Sequence, residues 1–233
     1  LASIGYSAEH RTDVGWTFRQ NFRYDYGENS RNSVALSGLQ ADMRTANRSH
    51  FNSPRVEGAF AVDNQAELKT TTGPLKHTLL VGVNYRRTSY REKYYRGIAP
   101  PIDVYAPVYG QFLAPTPFNW DQTYTLQQAG LYLQDQIKLD RWILTLGGRH
   151  DWVTSSGHDN LLNVPAQQQD DRAFTKRAGL GYEFEFGLVP YVGYAESFEP
   201  VSGTTFEGTL FKPETGKLYE AGIKYQPQGT NMR

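Results

Sequence analysis

The sequence predicts an all-β chain, an antiparallel transmembrane β-barrel present as a partial arc of about nine strands. Three observations predict it. Apolar and polar residues alternate with period two along nearly the whole chain. The candidate strands run to roughly 11–16 residues, whereas strands of globular proteins cluster near 5–6. Short turns alternate with long polar excursions, the layout of barrels with short periplasmic turns and long external loops.

Composition narrows the alternatives. The 233 residues carry 24 basic and 24 acidic side chains, interleaved, so no net field draws the protein to nucleic acid or acidic lipid. There is no cysteine, hence no disulfide and no thiolate metal site. Aromatic residues make up 14%, with 16 tyrosines, yet no apolar run approaches the roughly 20 residues of a membrane helix. Any membrane span is therefore β. The opening Leu1-Ala-Ser-Ile-Gly-Tyr6 lacks the charged start and apolar stretch of a signal peptide and reads as the inside of a strand. The chain is expected to begin mid-structure.

Taken in order, the strands separate into two faces. From Val14, one face reads Val14, Trp16, Phe18, Gln20, Phe22, Tyr24 and Tyr26, and the other Thr17, Arg19, Asn21, Arg23 and Asp25. From Val56, Phe60, Val62, Ala66 and Leu68 oppose Glu57, Asp63, Gln65, Glu67 and Lys69, with Asn64 breaking the apolar row. Beyond the turn Thr71–Pro74, Leu79, Val81, Val83 and Tyr85 oppose Lys76, Thr78, Asn84 and Arg86, with Leu80 on the polar side. Ala129, Leu131, Leu133 and Ile137 form the next apolar row, interrupted by Asp135. The rows Ala178-Leu180-Tyr182-Phe184-Phe186 and Tyr219-Ala221-Ile223-Tyr225 repeat the pattern.

Trp142 and Trp152 share a face ten positions apart. At about 3.3 Å per residue and a tilt of about 45°, that spacing projects to roughly 23 Å, close to the ~25 Å apolar band between two aromatic girdles. Trp16, Trp142, Trp152 and Tyr225 are the expected girdle residues. Short turns at Arg11–Asp13, Thr71–Pro74, Leu139–Arg141 and Gly187-Leu188 alternate with excursions near 27–55, 91–121, 156–171 and 199–213, so the strand from Val14 rises outward and the last strand ends inside near Tyr225. Residues 34–45 have some strand character, as a hairpin extension above the membrane would; the excursion 27–55 is read as loop.

Several segments carry a resemblance. Leu131-Tyr-Leu-Gln-Asp-Gln136 followed by Leu144-Thr-Leu-Gly-Gly-Arg-His-Asp-Trp152, then Tyr194-Ala-Glu-Ser-Phe-Glu-Pro200 and the run from Phe211 to Tyr225, are similar to the middle and late barrel of TonB-dependent siderophore receptors. Gly73–Val83 and Ile102–Tyr109 look most like the ferrichrome-type, hydroxamate branch. The match covers most of residues 56–227 in order, and 1–55 more loosely. The resemblance implies a Gram-negative outer-membrane location, uptake of a ferric siderophore energised through TonB, and no cofactor, the iron travelling as part of the ligand. It also implies a barrel of about 22 strands around a plugged lumen. This chain offers about nine and no plug, so residues 1–233 are expected to be a partial barrel domain, with TonB engaged by a missing N-terminal region. Outer-membrane lipid and lipopolysaccharide are the further partners implied.

A siderophore is bulky and partly apolar, so a vestibule would hold it with aromatic rings and a few polar groups. The excursion 91–121 is the richest source: Tyr94, Tyr95, Tyr105, Tyr109, Phe112, Phe118 and Trp120, with Tyr105 and Tyr109 the first choice. The same rings would equally serve to pack the loop or extend the outer girdle. Arg91, Lys93 and Arg96 would attract an anionic complex, or form solvated surface or a lipopolysaccharide contact. The inward row Arg19, Arg23, Arg86, Arg149, Arg177, Glu183 and Glu220 would line the lumen and bond a plug. His10, His50, His77, His150 and His158 lack metal-ligand spacing, and His150-Asp151 face opposite sides of a strand, so neither a metal site nor a hydrolase is expected. Gly179-Leu-Gly181 resembles part of a nucleotide fingerprint but lies in an alternating strand with no helix after it. A passive porin, a barrel enzyme and a soluble β-rich binding domain are the competing readings; the last predicts a protein that stays monomeric without detergent.

Overall fold

The computed structural model describes residues 1–111, 113–114, 117–162, 167–201 and 203–225. Among them nine strands form one antiparallel sheet in sequence order: β1 (Ala2–Arg11), β2 (Trp16–Leu39), β3 (Thr45–Thr72), β4 (Leu75–Asp103), β5 (Phe118–Leu139), β6 (Trp142–Asp159), β7 (Gln167–Tyr182), β8 (Leu188–Glu199) and β9 (Glu214–Tyr225). The register keeps each apolar row on one side. Trp16 stands opposite Leu68, Leu68 opposite Leu79, Val81 opposite Leu133, Leu144 opposite Leu180, and Val192 opposite Ala221.

Among the described residues there is no compact apolar interior. Leu131, Leu133 and Ile223 are 50%, 53% and 69% exposed, while the buried apolar residues, such as Ala46, Leu126 and Val153, are scattered. Apolar rows left bare on one side of a sheet fit contact with hydrocarbon. The sheet curls toward its polar side, because bonds there reach across intervening strands. Tyr132 on β5 donates to Asp63 on β3 (2.8 Å), Arg149 on β6 to Asn84 on β4 (3.0 Å), and Arg86 on β4 to Glu199 on β8 (3.1 Å). Two glycines make room on this concave wall: the Tyr132 ring lies over Gly82 and the Arg149 guanidinium over Gly130, where a Cβ would collide with each.

The interruptions of the apolar rows have partners. Asn64 accepts from Gln20 (2.6 Å), which accepts from Tyr6 (2.6 Å), and Asp135 bonds His77 (2.7 Å). Both interruptions thus find a polar partner one strand away. At the lower end, Trp142, Tyr182, Phe184 and Phe186 form a chain of rings 4.9, 4.8 and 5.4 Å apart. Trp152 lies higher on the face of Trp142, its ring tilted 58° against His150 with centroids 4.4 Å apart; Trp16 and Tyr225 occupy the lower ends of β2 and β9.

Several expectations need correction. Residues 27–55 are not a loop: β2 and β3 continue as a ladder to a turn at 40–44. Most of 91–121 and 156–171 is likewise strand, with the described residues 104–111, 113–114, 117 and 160–162 outside the strands. Above the membrane neither face meets hydrocarbon, so the alternation that marks a strand fades while the backbone bonds persist. The row from Ala178 also stops at Tyr182, with Phe184 and Phe186 in the turn before β8; Val14 likewise belongs to the turn before β2. β7 and β8 share only five residue pairs, Arg177↔Ala195 to Gly181↔Tyr191, and above them the Lys176 amide bonds the Glu196 carboxylate (3.3 Å) instead of a backbone carbonyl.

Candidate functional site

The strand extensions of β2 to β6 carry the concave face outward, and their register assembles a grid of side chains. One rung is aromatic. Tyr94 stands opposite Trp120, with ring centroids 5.3 Å apart and 14° from parallel, and Phe51 continues the stack from β3 at 6.2 Å. Arg31 on β2 caps it, its guanidinium 5.8 Å from the Phe51 ring. Four residues deeper, Tyr90 and Tyr124 face each other at 5.2 Å, and the Arg55 guanidinium lies 3.8 Å over Tyr90. Burial raises the Tyr90 phenol above its ordinary pKa, with Arg55 pulling the other way. Between the rungs lie Ser53, Glu92 and Gln122; Ser53 donates to Glu92, and Tyr124 donates to Gln122 (2.6 Å).

The connection between β8 and β9 folds inward beside this grid. Leu210 is buried near Gly157 and Tyr124, and Gln169 on β7 donates to the Phe211 carbonyl (3.1 Å). On the outer side the extensions are tied by Asp121, which takes two bonds from Arg91 (2.8 and 2.5 Å) and one from Asn160 (2.9 Å). Arg91 chiefly, then Asn160, holds the Asp121 carboxyl below its ordinary pKa against the effect of burial. At the tip between β2 and β3, Asp42 accepts from the Thr45 hydroxyl and the Thr45 and Arg44 amides, which lower its pKa to about 2.

The sequence candidates divide. Tyr94 and Trp120 enter the concave grid. Tyr95 and Phe118, beside an irregularity in the β4–β5 register, pair at 5.0 Å on the opposite face. Tyr105 and Tyr109 sit in the 104–117 connection, 78% and 76% exposed, and neither stacks on another aromatic among the described residues. Phe112 lies outside the described residues. Phe51, Tyr90, Tyr124, Arg31, Arg55 and Glu92 were not singled out from sequence; same-face spacing of two along Tyr90-Glu92-Tyr94 and Trp120-Gln122-Tyr124 is the signal that finds them.

Deeper in the lumen the charged row is largely matched within the sheet rather than left in water. Arg19 bonds Glu9 (2.7 Å) and Glu67 (2.9 Å), Lys138 bonds Glu183 (2.6 Å), and Arg149 holds Asp151 (2.5 Å), which also accepts from Gln128 (2.7 Å). Arg23 pairs with Asp25 at 2.8 Å and Tyr191 donates to Glu220 at 2.6 Å, whereas Arg177 makes no ion pair among the described residues. His150 faces outward against Trp152 while Asp151 faces the lumen.

A bare apolar exterior, a concave charged wall and tall outer extensions set the context for the comparisons. The family model described as TonB dependent receptor-like, beta-barrel matches residues 1–233. The chain belongs to the TonB-dependent receptor β-barrel family. It is 38% identical over 230 residues to the ferrioxamine B receptor of Salmonella typhimurium, covering 99% of this chain and 32% of that protein. It is 34% identical to the ferrichrome outer membrane transporter/phage receptor of Escherichia coli K12, over 97% of this chain and 33% of the relative. The solved ferric-catecholate import receptor Fiu from E. coli K12 superposes with a TM-score of 0.81 at 17% identity, over 97% of this chain and 38% of that one. The chain thus spans about a third of the length of these relatives. Members of this TonB-dependent receptor family are outer-membrane β-barrels, which places these nine strands in a Gram-negative outer membrane.

Proposed function

We propose that the full protein takes up a ferric siderophore of the hydroxamate class across the outer membrane, energised by the TonB complex acting through a part of the protein outside this chain. The observation that carries this reading is the concave stack of Phe51, Tyr94 and Trp120 above Tyr90 and Tyr124. Flat aromatic faces at this spacing offer contact area to a bulky, partly apolar complex, and Ser53, Gln122 and the phenols offer it hydrogen bonds. Charge in the grid is balanced, Arg31, Arg55 and Arg96 against Glu57, Glu92 and Asp159, which suits an iron complex with little net charge. The ferrioxamine B and ferrichrome names of its relatives agree with that chemistry. Lipid on the outer rows and lipopolysaccharide around the extensions complete the partners.

Growth tests the reading. A strain relying on the full gene, iron-starved and offered one siderophore at a time, is expected to grow and to accumulate radioactive iron on hydroxamates only while TonB is intact. Growth on catecholates alone, or uptake without TonB, sinks it.

A further inference from the structure

The sheet divides into two leaves at β7 and β8. β7 is paired with β6 along its whole length and β8 with β9 along its whole length, yet β7 and β8 share only the pairs from Gly181↔Tyr191 to Arg177↔Ala195. The next rung in that register is Lys176 with Glu196, and the Lys176 amide does point at β8, where an antiparallel ladder would give it the Glu196 carbonyl. It meets the Glu196 carboxylate instead. Tyr182 lies beside Trp142 at the lower girdle, and Lys176, six residues above it, stands about 14 Å higher at a tilt of about 45°. The ladder therefore ends inside the apolar band. Above the break the leaves stand apart around a cavity of about 350 Å³, with Asp171, Arg172 and Ala173 on one side and Phe198, Pro213 and Thr215 on the other. From the lumen a cavity of about 380 Å³ beneath Tyr132 and Arg177 reaches the same Lys176 and Glu196. The smaller leaf is tethered at its upper end, where Arg86 donates to Glu199 (3.1 Å) and Gln169 to the Phe211 carbonyl (3.1 Å).

Backbone groups freed at this depth cannot be satisfied by lipid, so a ladder that stops here needs a polar side chain to finish it. Glu196 does so with both oxygens: Oε2 accepts from the Lys176 amide (3.3 Å) and Oε1 from the Tyr194 hydroxyl (2.6 Å). Its side chain thus takes the bond that its own carbonyl would make. The carboxylate also has somewhere to turn, because Lys217 stands opposite it on β9 and the Lys176 Nζ lies 4.0 Å away. We propose that Glu196 is a wedge that keeps a side window open in the barrel wall, between the lumen and the outer leaflet. Its withdrawal lets β8 zip onto β7 by two further rungs, Lys176↔Glu196 and Thr175↔Ser197, and narrows the window. The aromatic grid on β3, β4 and β5 lies wholly on the larger leaf and keeps its shape in both states.

Cross-linking of the full-length receptor in outer-membrane vesicles tests the wedge, and this chain brings no cysteine of its own. Two cysteine pairs are compared under a mild oxidant, each bond identified by mass spectrometry of the joined peptides. Arg177→Cys with Ala195→Cys places thiols on the last formed rung, and Thr175→Cys with Ser197→Cys places them on a rung that exists only when the seam is zipped. Both are side-by-side positions on the lumen face, where a zipped ladder brings Cβ atoms to about 4.5–5.5 Å. With Glu196 in place, the 175/197 bond is expected to form at least about tenfold more slowly than the 177/195 bond, a barrier on the scale of one hydrogen bond. Glu196→Ala is expected to bring the two rates together, whereas Glu196→Gln, which keeps an oxygen for the Lys176 amide, leaves the 175/197 bond slow. Equal rates with Glu196 present overturn the window, and a 175/197 bond that stays slow in Glu196→Ala overturns the wedge. If Glu196→Ala fails to fold, seen as loss of the 177/195 bond as well, Tyr194→Phe decides in its place. That change removes the hydroxyl that fixes the carboxylate and is expected to speed the 175/197 bond; an unchanged rate overturns the wedge.

Discussion

Arg91 and Asp121 face each other across β4 and β5 on the outer side of the extensions, joined by two hydrogen bonds of 2.8 and 2.5 Å, and Asn160 at the end of β6 closes on the same carboxylate. Three strands are thereby fastened at one aspartate that is 4% exposed. Asp121→Ala leaves Arg91 without its partner, at a local cost of about 1–3 kcal/mol. Hydrogen exchange is expected to quicken at the Asn160 amide, which bonds the Asp121 carbonyl at 2.8 Å, while thermal unfolding of the full receptor barely moves. Because the Asp121 carboxyl is lowered, this fastening is complete above the ordinary aspartate pKa of about 4 and is lost as pH falls through the lowered value.

The turn at 40–44 has its own acid dependence. Asp42 titrates at about 2 in the folded chain and near an ordinary carboxyl, about 4, when the turn is open. Its hold on Arg44 and Thr45 is therefore full above about pH 4 and disappears toward about pH 2. Amide exchange of Arg44 and Thr45 measured against pH is expected to follow that window, and Asp42→Asn is expected to flatten it. The same window in the variant would assign the effect to another group.

The two sides of β5 answer differently to a charge. Leu133→Arg places a guanidinium on the bare apolar row and is expected to cost about 2–4 kcal/mol of folding in lipid. Gln134→Arg, on the concave wall beside it, is expected to cost far less. Reversible unfolding in lipid vesicles compares them, and equal costs would contradict a hydrocarbon-facing row.

Opposite faces of β4 and β5 also separate binding from packing. Tyr94→Ala and Trp120→Ala break the concave stack and are expected to weaken binding of the ferric hydroxamate by about 1–3 kcal/mol each. Tyr95→Ala and Phe118→Ala remove an equally close pair from the other face and are expected to leave affinity within about twofold. Titration of the full-length receptor with the iron complex decides; reversed sensitivities would move the ligand off the concave wall.

The membrane part of this fold is legible because hydrocarbon enforces alternation. Trp16, Val62, Val81, Leu133 and Leu180 are apolar because each stands where water is excluded, and one strand after another repeats that constraint. Above the bilayer the constraint lapses. Asn29, Arg31 and Asn52 look like loop residues yet sit in the β2–β3 ladder, held by backbone bonds that do not depend on the side chain, and Pro54, with no N–H to donate, is carried along opposite Ser30. For the same reason Tyr94 and Trp120 could be chosen as aromatic but not assigned a face, and Phe51 was hidden inside an apparent excursion. The pairing of Gln20 with Asn64 and of His77 with Asp135 depends on register, which no single strand reveals.

β4 runs unbroken from Leu75 to Asp103, so Val81 against lipid and Tyr94 in the grid belong to one ribbon, paired with β3 on one side and, as far as Tyr95, with β5 on the other. Such a wall cannot reshape itself around a guest without slipping register in the bilayer. Accommodation of differently shaped cargo falls instead to side-chain rotation and to the few connecting residues at the rim, which makes changes of appetite during evolution a matter of swapping single rings and charges on an unyielding frame.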